Sequence, residues 1–97
     1  MSHGTLRLEG KVDNTVLAKE LERTKGSPLL VDFTLVDYLS SSGMAELAKA
    51  SADRDVRLVG LKDSVRAVIG IAGLERLLAI YPDEKAALAA PRKRSPR

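Results

Sequence analysis

The chain has 97 residues, of which 44% are hydrophobic and 30% are charged, so we expect one soluble domain with a single core. It contains no cysteine, which excludes a disulfide framework, a thiolate metal site and a cysteine nucleophile. Four basic residues lie in the last six positions, and without them the net charge falls from +3 to −1, so we expect a disordered basic tail (91–97) after a domain spanning 5–90.

The first predicted strand is short. Leu6 and Leu8 alternate with charged residues, and the strand is expected to end at Gly10. Asp13 or Asn14 then offers an N-terminal cap for a helix whose apolar residues recur at helical spacing.

The second predicted strand is the apolar run Leu29–Val31, followed by Asp32, and it resembles a strand that is buried on both faces. The segment Thr34–Ser42 is rich in small and polar residues and predicts a connecting loop. Several residues of Ser40–Gly43 can cap the next helix, which we expect to end near Asp53.

The third predicted strand is the apolar segment 56–59, closed by Gly60. Asp63 or Ser64 can cap the third helix, and Gly73 suits its C-terminal cap because glycine readily adopts a positive φ.

A short last strand is predicted over 77–80. Pro82 suits the first position of a fourth helix, whose modest apolar face would be Ala86, Leu88 and Ala89. Short strands that alternate with helices in this way predict an α/β fold with a mainly parallel, four-stranded sheet.

The sequence lacks the motifs of the common nucleotide-binding and hydrolytic sites. It has neither a G-x-G-x-x-G nor a P-loop motif, and His3, near the N-terminus, is a poor candidate for a triad or a metal ligand. No apolar run has the length of a membrane span and no signal peptide is evident, so we expect a cytoplasmic protein. The basic tail has no aromatic residue for base stacking. We therefore expect no enzyme activity, cofactor, metal site or direct nucleic-acid contact.

The carboxyl ends of neighbouring parallel strands usually carry the functional residues. Asp13 follows the first strand and Ser41 lies near the start of the second helix, so both are expected at this edge of the sheet. The free N–H groups of a helix N-terminus favour an anion, so a phosphate on Ser41 would be tolerated by the fold. It would also add about −1.5 to −2 charges and expel a partner that buries this edge. Alternatively, the serines only cap the helix, or the edge binds a nucleotide directly.

One stretch, Val31–Met44, resembles the signature of STAS domains in bacterial anti-sigma factor antagonists. In that family a strand-end aspartate precedes a loop and an Asp-Ser-Ser-Gly motif that opens a helix. Asp32 matches the strand-end aspartate, and Ser41, Ser42 and Gly43 match the last three motif positions. Further segments resemble the family in the right order: Gly10–Asp13, Asp63–Arg66, Ala72–Leu77 and Tyr81–Leu88.

The resemblance implies that the partner is an anti-sigma factor with serine kinase activity. The unphosphorylated domain would sequester this partner, and phosphorylation of Ser41, with Ser40 and Ser42 as alternates, would release it. ATP would belong to the kinase. The contact surface that the resemblance implies comprises Asp13, Asp32, Ser40, Ser41, Ser42, Gly43 and Met44.

The sequence departs from the family in two places. Ser40 stands where the family has the aspartate of its motif, and the family's N-terminal edge strand is shortened or missing, which leaves an exposed edge that favours a homodimer. STAS domains also serve as non-phosphorylated scaffold subunits in lipid-transport ABC complexes and stress-signalling assemblies, and the serine at position 40 favours this alternative.

Overall fold

The computed structural model describes residues 3–91 and shows strands and helices that alternate along the chain. The predicted basic tail, apart from Pro91, lies outside the described residues. The elements are β1 (Gly4–Val12), α1 (Asn14–Arg23), β2 (Leu29–Leu39), α2 (Ser41–Asp53), β3 (Val56–Val59), α3 (Asp63–Ile71), β4 (Ala79–Tyr81) and α4 (Glu84–Ala89).

Within residues 3–91 the four strands form one parallel sheet in the order β1-β2-β3-β4, which confirms the predicted α/β fold. Successive side chains of a strand point to opposite faces of a sheet. Leu29, Val31 and Phe33 of β2 accordingly join the main core with α1, α2 and α3, whereas Leu30 joins a smaller cluster with Ala87 of α4. The sheet therefore has three helices on one face and α4 on the other. None of the described helices is both long and apolar enough to cross a membrane.

The expectation that Thr34–Ser42 forms a loop is wrong, because β2 continues to Leu39 and leaves Ser40 alone between strand and helix. β1 likewise passes Gly10 and ends at Val12. The two strands pair along this whole length, with register shifts that β2 absorbs as extra residues. These shifts hid the strand from sequence analysis, because the buried residues Val36 and Leu39 are three positions apart instead of two.

Of the two predicted caps of α3, the C-terminal one is confirmed and the N-terminal one is wrong. Gly73 has a φ of 73° and donates its N–H to the Gly70 carbonyl at 3.0 Å, as expected of a glycine beyond a helix end. At the other end, however, neither Asp63 nor Ser64 is the cap. The helix begins at Asp63, and Lys62 precedes it without a side-chain hydrogen bond to the helix.

The last strand and helix begin two residues later than expected. β4 begins at Ala79, and α4 begins at Glu84 after the N-cap Asp83, so Pro82 is not a helical residue. The Asp83 carboxylate accepts the N–H of Ala86 at 2.8 Å, which fixes this start. Within α4 the buried side chain is Ala87, not Leu88 or Ala89, which are exposed.

Two arginines hold the C-terminal ends of helices that are distant in sequence. Arg54 donates to the carbonyl oxygens of Leu21 and Thr24, both at 2.9 Å, where α1 ends. The second arginine, Arg57, has a side chain that is 3% exposed and forms an ion pair with Asp55 at 2.9 Å.

The guanidinium of Arg57 also reaches the end of α4, where it donates to the carbonyl oxygens of Ala87, Ala90 and Pro91. Its hydrogen bonds to Asp55 raise the pKa of Arg57, although burial opposes this, so the group stays charged. A buried cation thus fastens α4 to β3.

Candidate functional site

The carboxyl ends of β1 and β2 form the candidate site, which we call the carboxyl rim: Asp13 and the segment Ser40–Met44. The two strand ends are directly paired, Val12 with Leu39. The Ser40 N–H donates to the Val12 carbonyl at 3.0 Å, so the two chain segments remain together where they leave the sheet. The predicted placement of Asp13 and the serines at one edge of the sheet is confirmed.

Two helices begin side by side at the carboxyl rim. Asp13 is the N-cap of α1, and its carboxylate accepts the N–H of Val16 at 3.0 Å. Ser40 is the N-cap of α2, and its hydroxyl accepts the N–H of Gly43 at 3.0 Å. Because α1 and α2 start at neighbouring strand ends, the positive ends of both helix dipoles lie near the same surface.

The three consecutive serines of the carboxyl rim have different surroundings. Besides capping α2, Ser40 exchanges a hydrogen bond with the Ser42 hydroxyl at 3.0 Å. Ser42 also accepts a longer bond, 3.4 Å, from the N–H of Asn14. Ser41 is the first residue of α2 and is exposed, and its hydroxyl makes no hydrogen bond to any residue in the range 3–91. Ser41 therefore offers the hydroxyl that is most available to an incoming group.

Gly43 and Met44 lie beneath the rim surface. A Cβ added to Gly43 would lie 2.8 Å from Leu39 Cδ1 and 3.1 Å from the Val12 carbonyl oxygen, so a larger residue would push α2 away from the strand ends. The Met44 side chain is 5% exposed and belongs to the main core. These two residues position the start of α2, and the exposed part of the predicted contact surface is Asp13, Ser41 and Ser42.

Asp32 is not at a strand end as predicted but lies in the middle of β2, because the strand continues to Leu39. Leu39 lies seven positions further along the strand, which corresponds to roughly 20 Å of extended chain. It also shares the α4 face of the sheet with Leu30, opposite the main core. The structure therefore does not bring Asp32 together with the three serines.

The carboxylate of Asp32 is fixed by local partners. It accepts the N–H of Thr34 at 2.8 Å and the Thr34 hydroxyl at 2.6 Å, and it pairs with Arg7 at 3.4 Å. Burial by itself would raise the pKa of Asp32, but the Thr34 hydrogen bonds and the Arg7 charge together lower it below its ordinary value. These contacts favour the ionised form of Asp32, which bridges β2 to β1 through Arg7.

A shallow cavity of about 190 Å³ lies over Asp32, between the sheet and the start of α4. Its polar lining includes Arg7, Thr34, Asp83 and Glu84. Within the described part of the chain, no group of three or more histidine, aspartate or glutamate residues is placed to hold a metal ion.

Sequence analysis missed one exposed aromatic residue beside the rim. Tyr38 lies two positions before Ser40, is paired in register with Lys11, and is 54% exposed. Val16, in the first turn of α1, is 37% exposed. An aromatic residue in a segment of small polar ones could have indicated a contact residue. Its exposure, however, depends on the register shifts of β2, which the sequence does not reveal.

The comparison with protein families agrees with this geometry. The family model described as STAS domain matches residues 7–87, which include every residue of the carboxyl rim. The search of curated proteins found no match.

Proposed function

The chain belongs to the STAS domain family, and from that premise we propose that it is a regulatory module that binds a partner protein through the carboxyl rim. The partner we propose is an anti-sigma factor with serine kinase activity. The chain itself would be a cytoplasmic binding protein with no catalytic role and no cofactor of its own.

The observation that carries the proposal is the state of Ser41. Its hydroxyl is exposed and makes no hydrogen bond within residues 3–91, whereas the Ser40 hydroxyl caps α2 and the Ser42 hydroxyl bonds to Ser40 and to the Asn14 N–H. A kinase can therefore modify Ser41 without breaking the cap. A phosphate on Ser40 would instead displace the bond to the Gly43 N–H, which stabilises a helix start by about 1 kcal/mol.

Phosphorylation at Ser41 would act on binding and leave the fold intact. The phosphate would lie at the N-terminus of α2, where free backbone N–H groups and the helix dipole favour an anion. A partner that covers the rim would then have to desolvate a group carrying about −1.5 to −2 charges. We therefore propose that the unmodified chain binds the kinase and the phosphorylated chain releases it.

A second candidate function is a scaffold subunit that is never phosphorylated. Ser40 stands where the family's signature has an aspartate, so one negative charge beside the acceptor serine is replaced by a neutral cap. If a kinase requires that charge, the serine cluster serves only to start α2, and the rim binds its partner constitutively.

The two candidates differ in how binding responds to charge at position 41. We would immobilise wild-type protein and the variants Ser41→Ala and Ser41→Asp, expose them to lysate of the source cell, and quantify the retained proteins by mass spectrometry. The phosphoswitch predicts that one ATP-binding kinase is retained by wild type and Ser41→Ala and lost with Ser41→Asp.

Ser64→Asp is the matched control, because Ser64 is also an exposed serine in the first turn of a helix, α3, and lies outside the rim. It should retain the kinase like wild type. Equal retention of the same partners by Ser41→Asp and wild type would contradict the switch and favour the scaffold. A kinase that is also lost with Ser64→Asp would point to a general charge effect.

A further inference from the structure

The outer edge of β1 is a candidate pairing surface. Among residues 3–91, no strand pairs with this edge, since β1 is the first strand in the sheet order and pairs with β2 alone. The backbone groups of a free edge strand are ready to pair with another extended chain. We propose that a second copy of this chain pairs with it, β1 against β1, in an antiparallel two-fold dimer with Leu8 opposite Leu8 of the other copy.

The backbone of β1 shows which residues would make the contact. Gly4 donates its N–H to the Pro28 carbonyl beside β2, at 3.0 Å. The N–H and C=O groups of successive strand residues point to opposite edges, so those of Thr5, Arg7 and Glu9 are directed to the free edge. An antiparallel partner would therefore exchange hydrogen bonds with these odd-numbered residues.

Several registers would let the odd-numbered residues of two antiparallel β1 strands exchange hydrogen bonds. The charges of their side chains distinguish between these registers. With Leu8 on the two-fold axis, Arg7 of each copy lies opposite Glu9 of the other, and opposite charges directly across an antiparallel pair stabilise it. With Arg7 on the axis, two arginines would oppose each other. With Glu9 on the axis, two glutamates would do so, and Arg7 would face Lys11.

One further register would also match charges, with Glu9 opposite Lys11 across Gly10. The backbone prevents it, because Gly10 has a φ of 66° and β1 is kinked there. The side chains of Arg7 and Glu9 are both exposed and accessible to the other copy, and Arg7 also pairs with Asp32 of its own chain at 3.4 Å. The pairing surface is one strand wide, so we expect a weak dimer whose population depends on protein concentration.

The test is sedimentation equilibrium of the complete chain over a range of concentrations, using wild type and two single variants. In Glu9→Arg both positions of the pair are positive, and in Arg7→Glu both are negative. Because the two-fold axis repeats each pair, either variant alone should raise the dimer dissociation constant by about tenfold or more. The two variants mixed together should form a heterodimer as tight as the wild-type dimer or tighter, since every pair then has opposite charges.

Lys49→Glu is the control for surface charge, because Lys49 is exposed on α2 and outside β1, and it should dimerise like wild type. A wild-type chain that stays monomeric, a Glu9→Arg variant that still dimerises, or a mixture that does not associate would each overturn the proposal. Since Arg7→Glu also removes the ion pair with Asp32, its folding must be checked. If it does not fold, amide hydrogen exchange of wild type decides, because the N–H groups of Arg7 and Glu9 must become protected as the concentration rises.

Discussion

The starts and the ends of the helices are stabilised in different ways. At the carboxyl rim, Asp13 and Ser40 each cap the helix that follows them, with a side-chain oxygen bonded to an N–H three residues further on. At the opposite edge of the sheet, Arg54 and Arg57 bind the last carbonyls of α1 and α4 across 30 or more residues of sequence. The first kind of contact joins residues three positions apart at or near the surface, and the second is long-range and partly or fully buried.

This difference indicates that partner binding and fold stability depend on different residues. The exposed hydroxyls and the Asp13 carboxylate face solvent, where a partner can reach them and a modification disturbs little of the fold. The arginines cross-link elements that meet only in the folded state, so their loss should affect the whole domain. We expect substitutions of Arg54 and Arg57 to lower the stability of the domain, and substitutions at the carboxyl rim to affect mainly the binding of a partner.

The largest effect should come from Arg57→Met. The substitution removes the charge that balances Asp55, whose side chain is 8% exposed, and it frees three carbonyls at the end of α4. Breaking a buried ion pair in this way costs about 3–5 kcal/mol. Urea unfolding followed by circular dichroism measures the loss. Adding Asp55→Asn should recover part of the lost free energy of unfolding. If Arg57→Met costs no more than an ordinary surface substitution, the proposed role of this arginine in stability is contradicted.

Arg54→Met should have the next largest effect. The side chain of Arg54 is half-buried and donates to the carbonyls of Leu21 and Thr24, and hydrogen bonds from a charged donor contribute about 1.5–3 kcal/mol. We expect a loss of about 2 kcal/mol in the same urea experiment. Arg66→Met, at an exposed position of α3, is the matched control and should change the free energy of unfolding by less than about 0.5 kcal/mol.

Alanine substitutions of the two neighbouring serines should distinguish the residue that caps α2 from the proposed phosphate acceptor. Ser40→Ala removes the bond to the Gly43 N–H and should lower the free energy of unfolding by about 1 kcal/mol. Ser41→Ala removes a hydroxyl that makes no hydrogen bond within residues 3–91, and it should change the free energy of unfolding by less than about 0.5 kcal/mol. Thermal unfolding of both variants checks this. Equal losses would mean that Ser41 is also structural, which would weaken its proposed role as acceptor.

The smallest expected effect is a pH dependence at Asp32. Since its folded pKa lies below its unfolded value, the contribution of Asp32 to stability is complete above the unfolded pKa, about 3.9, and is lost as the pH falls through the folded pKa. Asp32→Asn should therefore flatten the acid limb of a stability–pH profile below about pH 4. An unchanged acid limb would show that the Thr34 and Arg7 contacts do not stabilise the ionised form.

Much of the fold was accessible from the sequence because its signals are local. Apolar runs and periodicity predicted four strands alternating with four helices, and the resemblance in Val31–Met44 indicated the family that the match over 7–87 supports. The placement of Asp13 beside Ser41 also followed, because parallel strands end at a common edge.

Other features were decided by tertiary contacts. The full length of β2, the mid-strand position of Asp32 and the exposure of Tyr38 all depend on the register shifts between β1 and β2, and register is a relation between two segments. The roles of Arg54 and Arg57 depend on which carbonyls the folded chain brings to them.

The sequence by itself thus determined the order of elements and the edge where the serines lie, and it limited the helix caps to Asp13 or Asn14 and to the segment Ser40–Gly43, since each of these signals depends on residues within a few positions of one another. Within residues 3–91, only the tertiary structure decided which serine hydroxyl is available, which charged side chains are buried, and which strand edge remains unpaired. Those properties arise when segments distant in sequence pack together and remove one another from water.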